Sequence, residues 1–97
     1  MRLRYTLPAL ADLDEILACI AAQSPRGATR VQARIKAITD LLQRHPRIGA
    51  LTADPTIRRM TTSPYPYLIF YEVTDSEVII HAVRHGARDP SRMPGSV

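Results

Sequence analysis

The sequence predicts an α+β domain in the order β-α-α-β-β-β, an N-terminal strand, a helical hairpin and a three-stranded antiparallel meander, with the hairpin packed on one face of the sheet. Three observations carry this. Apolar residues recur at three- and four-residue steps from Leu10 to Leu42, then alternate among β-branched and aromatic residues from Ile57 to Arg84. An alternating segment, Arg2 to Thr6, precedes the helical part, so one strand opens the chain. The links between the later strands are short, which makes those strands an antiparallel meander. With 97 residues the chain holds one core, since a second would need roughly 50 residues of its own. A barrel, a dinucleotide-binding fold and a two-domain hinge are excluded. Residues 1–90 are expected to form the domain and 91–97 a flexible tail.

The opening strand sets Leu3 and Tyr5 on one side and stops before Pro8. Leu10, Leu13, Ile16, Leu17 and Ile20 then form the stripe of a first helix. Asp12, Asp14 and Glu15 fall in its early turns, where carboxylates favour the positive end of the helix dipole. Cys19 follows Ile16 by three residues and is expected on the buried stripe as a small apolar group. Ser24-Pro25 supplies an N-cap and a proline at the first helical position, and Val31, Ile35, Ile38 and Leu42 continue a second helix to His45-Pro46. Arg30, Arg34, Lys36 and Arg44 are read as its solvated or partner-facing side. Gly49, Asp54 and Pro55 mark a loop from Arg47 to Pro55. Ile57 to Thr62, Tyr67 to Val73 and Val78 to Arg84 are the remaining strands, separated by Ser63-Pro64-Tyr65-Pro66 and by the polar turn Thr74-Asp75-Ser76-Glu77. His81 is expected as a half-exposed sheet residue.

Thirteen basic residues against nine acidic ones give a net charge of +4, and all the basic residues except Lys36 are arginine. Arginine stays ionised and offers a planar fork to phosphate or carboxylate, so an anionic partner is one reading; a surface that merely keeps a small domain in solution is the other. The longest apolar run, Tyr65 to Tyr71, is far too short for a membrane span, and no export signal follows Met1. A cytoplasmic protein with no membrane partner is expected. One cysteine forms no internal disulfide, and with three scattered histidines it has no zinc-ligand spacing. No metal or cofactor is expected, and no phosphate loop, dinucleotide fingerprint or HExxH pattern occurs.

Two segments carry candidate chemistry. In Ile57-Arg58-Arg59-Met60, alternation sends Arg58 and Arg59 to opposite sides, so one of them faces the helices or the sheet rim. A guanidinium held there beside packed residues loses less freedom on meeting a ligand than one on a helix exterior. Arg84-His85-Gly86-Ala87-Arg88-Asp89 closes the last strand with two arginines and a histidine around a glycine, a set able to converge on a phosphate or an acidic peptide. Pairing of Arg88 with Asp89 and an exposed His85 is the structural alternative. His85 can transfer a proton only within hydrogen-bond reach of a substrate.

Taken together, Ala9-Leu10-Ala11-Asp12-Leu13-Asp14-Glu15-Ile16, Ser24-Pro25, His45-Pro46-Arg47-Ile48-Gly49, Ile57-Arg58-Arg59-Met60, Pro66-Tyr67-Leu68-Ile69-Phe70-Tyr71 and Val83-Arg84-His85-Gly86-Ala87-Arg88 resemble the RelE/ParE superfamily of type II toxin–antitoxin toxins, over roughly Tyr5 to Pro90. The resemblance implies a growth-inhibiting toxin that is neutralised by a cognate antitoxin with an acidic segment, forming a toxin–antitoxin hetero-oligomer. ParE-like members block DNA gyrase and are associated with plasmid stabilisation; RelE-like members cut mRNA in the ribosome. Arg58 and Arg84 match arginines of both kinds. No tyrosine follows Tyr71, and lysines after the second helix are missing, which departs from the nuclease pattern and favours the ParE-like branch. The expectation is therefore a gyrase inhibitor without catalytic residues, contacting its target through Arg58, Arg59, Arg84, His85 and Arg88. The alternatives are a ribosome-dependent endonuclease using Arg58, Arg84 and His85, and a non-toxic partner in a regulatory complex. In each case the far side of the sheet and its final turn are expected to gather these guanidinium groups.

Overall fold

The computed structural model describes residues 1–86. Strand β1 (Arg2–Tyr5) passes into helix α1 (Leu7–Gln23) through Thr6, whose backbone is extended and whose hydroxyl accepts the Ala9 N–H at 3.2 Å. Ser24 serves both helices. Its N–H closes α1 on the Ile20 carbonyl at 2.7 Å, and its hydroxyl accepts the Gly27 N–H of α2 (Pro25–Arg44) at 3.0 Å. A single residue thus joins the helices, and the hairpin is tight.

After α2 come β2 (Ala50–Leu51), β3 (Ile57–Thr62), β4 (Tyr65–Val73) and β5 (Glu77–His85). The sheet order is β1-β5-β4-β3-β2; β1 runs parallel to β5 and every other pair is antiparallel. The β-α-α-β-β-β plan and the hairpin on one face are as expected. The two-residue β2 lies inside the segment read as a loop, because two residues have no periodicity to display. Residues 91–97, expected as a tail, and Arg88 lie outside the described residues.

The core joins Ala9, Val31, Ile35, Ile38 and Leu42 of the helices to Ile69, Tyr71, Val78, Ile80 and Val83 of the sheet. Burying such a set supplies most of the fold's driving force. Strict alternation would have placed Ala82 beside Ile80 on this face. Instead the register slips between Phe70 and Tyr71: Phe70 faces Ala82, Tyr71 faces Ile80, and His81 is the extra residue of a bulge. The slip lets Val83 return to the core.

Two helix-one expectations are corrected. Cys19 is exposed. Ala9, Leu13, Ile16, Leu17 and Ile20 define the packed stripe, and at 100° per residue Cys19 points about 110° from its middle. No acidic residue occupies the first turn of α1. Asp12 instead reaches the sheet, where its Oδ2 accepts the Val83 N–H at 3.1 Å, beyond the end of β1 on that edge of β5. A carboxylate thereby continues the ladder that β1 leaves off.

The other edge is tied down by Tyr71. Its side chain is fully buried, its hydroxyl donates to the Pro46 carbonyl at 2.7 Å, and it accepts the Gly49 N–H at 2.9 Å. Burial pushes the phenol above its ordinary range, with the Gly49 bond and the nearby Arg58 charge opposing, so it stays protonated as a donor. Arg58 adds two bonds from Nη1, to the carbonyls of Arg47 at 3.0 Å and Gly49 at 2.9 Å. A Cβ at position 49 would stand 2.5 Å from the Tyr71 oxygen and 2.7 Å from its ring, so only glycine admits this approach.

Replacing Tyr71→Phe leaves a carbonyl and an N–H unpaired and is expected to cost about 1–3 kcal/mol in chemical denaturation. Gly49→Ala should lower the thermal midpoint as well, since its methyl evicts the ring from the same position. The folded-state phenol titrates above the unfolded one, so wild-type stability should fall as pH rises past the ordinary tyrosine value of 10.0, and Tyr71→Phe should flatten that fall. Asp12→Ala should accelerate hydrogen exchange at the Val83 amide while leaving the Val78 and Ile80 amides protected.

Candidate functional site

Cross-strand register sorts the candidate residues into faces. Arg58 lies opposite Tyr71 and Arg59 opposite Phe70, while Arg84 lies opposite Leu68 and His85 opposite Tyr67. Along β4, Tyr67, Ile69 and Tyr71 face the helices, so Arg58 and His85 belong to the helix side and Arg59 and Arg84 to the other. The expected gathering of Arg58 with Arg84 on one surface is therefore not what the sheet builds. Three residues separate their partners on β4, an odd number, and an odd step changes face.

Each candidate has its own surroundings. Arg58 is the helix-side arginine that alternation called for, and it spends two hydrogens of its guanidinium on the loop carbonyls of Arg47 and Gly49. Arg59 is half-buried, and its guanidinium has no hydrogen bond or ion pair among the described residues. The Arg84 side chain is 59% exposed, with Nε 3.8 Å from Asp12 Oδ2. That separation makes a loose pair of small energetic weight. The His85 ring meets Tyr67 edge to face, with centroids 5.6 Å apart at 87°.

Strand spacings put the Cα atoms of Arg59 and Arg84 about 12 Å apart on one face, and those of Arg58 and His85 about 16 Å apart on the other. The non-helical face also carries a hydrogen bond between His81 Nε2 and Glu72 Oε1 at 2.8 Å and an ion pair between Arg4 Nε and Glu77 Oε2 at 3.3 Å. His81 is half-exposed, as expected. Of the residues expected to contact a target, Arg59 and Arg84 are the ones that lie on this face. The arrangement suits docking of an acidic macromolecule better than closure of several cations around a single phosphate.

On the helical side, Arg34 is not simply solvated. Its Nε donates to the Ser63 carbonyl at 2.8 Å, linking α2 to the turn between β3 and β4. Among the described residues no three His, Cys, Asp or Glu side chains converge as metal ligands, and no helix is long and apolar enough to cross a membrane. The sequence does not single out Tyr71, and it marks Asp12 only as a carboxylate of the early helix turns. A tyrosine in the middle of an apolar strand needs a polar partner for its hydroxyl, and Gly49 in a proline-containing loop was the available sign of one.

Residues 3–90 match the ParE toxin family of type II toxin–antitoxin systems of the parDE kind. Toxin RelE2 of Caulobacter vibrioides is 42% identical over 84 residues, spanning 87% of this chain and 93% of that protein. The Y4kP protein of Sinorhizobium fredii is 38% identical over 84 residues, spanning 84% of this chain and 88% of its own. A solved chromosomal ParDE toxin–antitoxin system from P. aeruginosa contains a chain that aligns with a TM-score of 0.75 at 26% identity, covering 88% of this chain and 95% of that one. With the helical hairpin, the five-stranded order and the family match in agreement, the chain belongs to the ParE toxin family within the RelE/ParE superfamily.

Proposed function

We infer that this toxin acts by binding and inhibiting DNA gyrase, without catalysis of its own, and that a cognate antitoxin with an acidic segment neutralises it in a hetero-oligomer. One observation carries the choice of target: Arg58 and Arg84, the two arginines a nuclease would use together, lie on opposite faces of the sheet. In-line cleavage of RNA needs cations pre-set around one phosphate and a proton-transfer group within reach. Here Arg58 is engaged with loop carbonyls, and His85 lies about 16 Å from it. The family match to the parDE kind and the ParDE structural likeness support the same reading. Arg59 and Arg84 are the target contacts in this reading; Arg58 is a positioning residue for the loop before β2. The antitoxin partner follows from the toxin–antitoxin system to which the aligned chain belongs, and the net charge of +4 complements an acidic segment.

Purified toxin should stop gyrase from supercoiling relaxed plasmid, while primer extension on translated mRNA should reveal no added cuts in the ribosomal A site. An unchanged supercoiling rate at saturating toxin, or A-site cuts, would reject the gyrase reading, and normal growth on induction without antitoxin would favour a regulatory module. Arg59→Glu and Arg84→Glu should each raise the toxin concentration for half-inhibition about tenfold with the fold intact. Arg58→Ala should act differently, by lowering the melting temperature.

A further inference from the structure

Helix α1 keeps apolar residues on the side turned away from the core, where a surface helix ordinarily shows water a polar face. Leu7 is 81% exposed and Leu10 42% exposed. At 100° per residue, Leu7, Ala11, Ala18 and Ala22 lie within about 60° of one another opposite the packed stripe, and Asp14 and Glu15 border them on either side. Neither carboxylate has an ion pair among the described residues, Asp12 is turned to the sheet, and α1 carries no basic residue. Helix α2 has the opposite balance. It carries Arg26, Arg30, Arg34, Lys36 and Arg44 against Asp40, which Lys36 takes up at 3.2 Å. Between α2 and the turn joining β3 to β4 runs a shallow groove of about 580 Å³, lined by Ala33, Ala37, Pro64 and Tyr65 with Arg30 and Arg34. Among the described residues no carboxylate lines it. Arg34 gives its Nε to the Ser63 carbonyl and keeps both terminal nitrogens for a further partner.

We propose that these two surfaces are the complementary halves of one interface, and that the toxin without antitoxin pairs with a second copy of itself, α1 of each protomer lying in the α2 groove of the other. Charge selects this arrangement. Packing α1 on α1 sets Asp14 and Glu15 against carboxylates, and packing α2 on α2 sets Arg30 and Arg34 against guanidinium groups, so both like-with-like pairings are repulsive. Only the crossed pairing brings opposite signs together. Leu7 and Leu10 supply the apolar surface that the groove receives, and the alanines of both helices let the two backbones approach closely. Made reciprocally, the contact occurs twice and closes at two copies. The same carboxylates disfavour an acidic segment of another protein at α1. The interface lies on the helical side, so it leaves the sheet face of Arg59 and Arg84 uncovered and is independent of which target the toxin inhibits.

The test is sedimentation velocity on the whole purified chain without antitoxin. The sedimenting species should shift with concentration from the monomer to twice its mass, and the association should weaken as salt rises. Ala33→Glu and Asp14→Arg should each raise the dissociation constant of the dimer about tenfold, with helix content by circular dichroism unchanged. Asp14→Arg combined with Arg30→Glu should recover the association that Asp14→Arg alone loses, because the reversed charges again meet their opposites across the interface. A dimer indifferent to both Ala33→Glu and Asp14→Arg, or a double reversal that dissociates as readily as Asp14→Arg alone, would overturn the proposal. So would species that keep growing with concentration, since a reciprocal contact stops at two copies. A monomer at every concentration would also overturn it and leave the α1 face to a basic partner of another kind.

Discussion

The hydroxyl of Tyr71 holds the sheet and the loop after α2 in one arrangement. It is a donor to Pro46 and an acceptor from Gly49, inside a fully buried side chain. A buried hydroxyl with no partner would forfeit a large part of what the ring gains by packing, and the loop coming to the tyrosine avoids that loss. Gly49 is the residue that lets it come close enough. β2 then pairs with β3 at Ala50–Arg59 and Leu51–Arg58, and the fifth strand exists because its approach has been fixed from the side. Arg58 completes the arrangement by bonding the two carbonyls that the tyrosine does not reach. A residue with the appearance of a ligand-binding group is thereby recruited to the architecture.

The second constraint is register. A bulge at His81 shifts β5 by one residue against β4, and every residue beyond it changes side relative to an unbroken alternation. Without the extra residue, Arg84 would lie on the helix side with Arg58, and His85 on the other. With it, Val83 joins the core, Arg84 turns outward to the face of Arg59, and His85 turns inward to Tyr67. One residue of slippage thus decides which cations share a surface, and with them the chemistry the surface can support.

This explains what the sequence made legible and what it did not. The hairpin, its Ser24 cap and the order of the long strands follow from periods and capping residues that act over neighbouring positions. The helix-side placement of one arginine of the Arg58–Arg59 pair also follows, since two adjacent strand residues cannot face the same way. The joint position of Arg58 and Arg84 does not. It depends on a bulge some residues away, and His81 carries no local mark of being the extra residue. Asp12 was read as a helix-end carboxylate because its partner, the Val83 N–H, is 71 residues distant in sequence. Cys19 failed for a simpler reason: three residues from Ile16 is within a helical stripe on one side of it and outside on the other.

Holding a guanidinium in place has opposite effects on binding and on availability. Packing and hydrogen bonds reduce the freedom that a ligand must quench, which favours held arginines as site residues. Arg58 is held, but by carbonyls that occupy both hydrogens of one terminal nitrogen and aim the group into the loop. Arg59 and Arg84 are less constrained and keep their donors, so each contact they make carries an entropic cost that must be repaid by several contacts made together. A broad acidic surface repays it and a single phosphate does not, because only the surface engages separated cations at once. A cleavage site requires the reverse, few groups fixed before the substrate arrives. The distribution of held and free arginines across the two faces is the physical ground on which the proposed capture of a macromolecule rests.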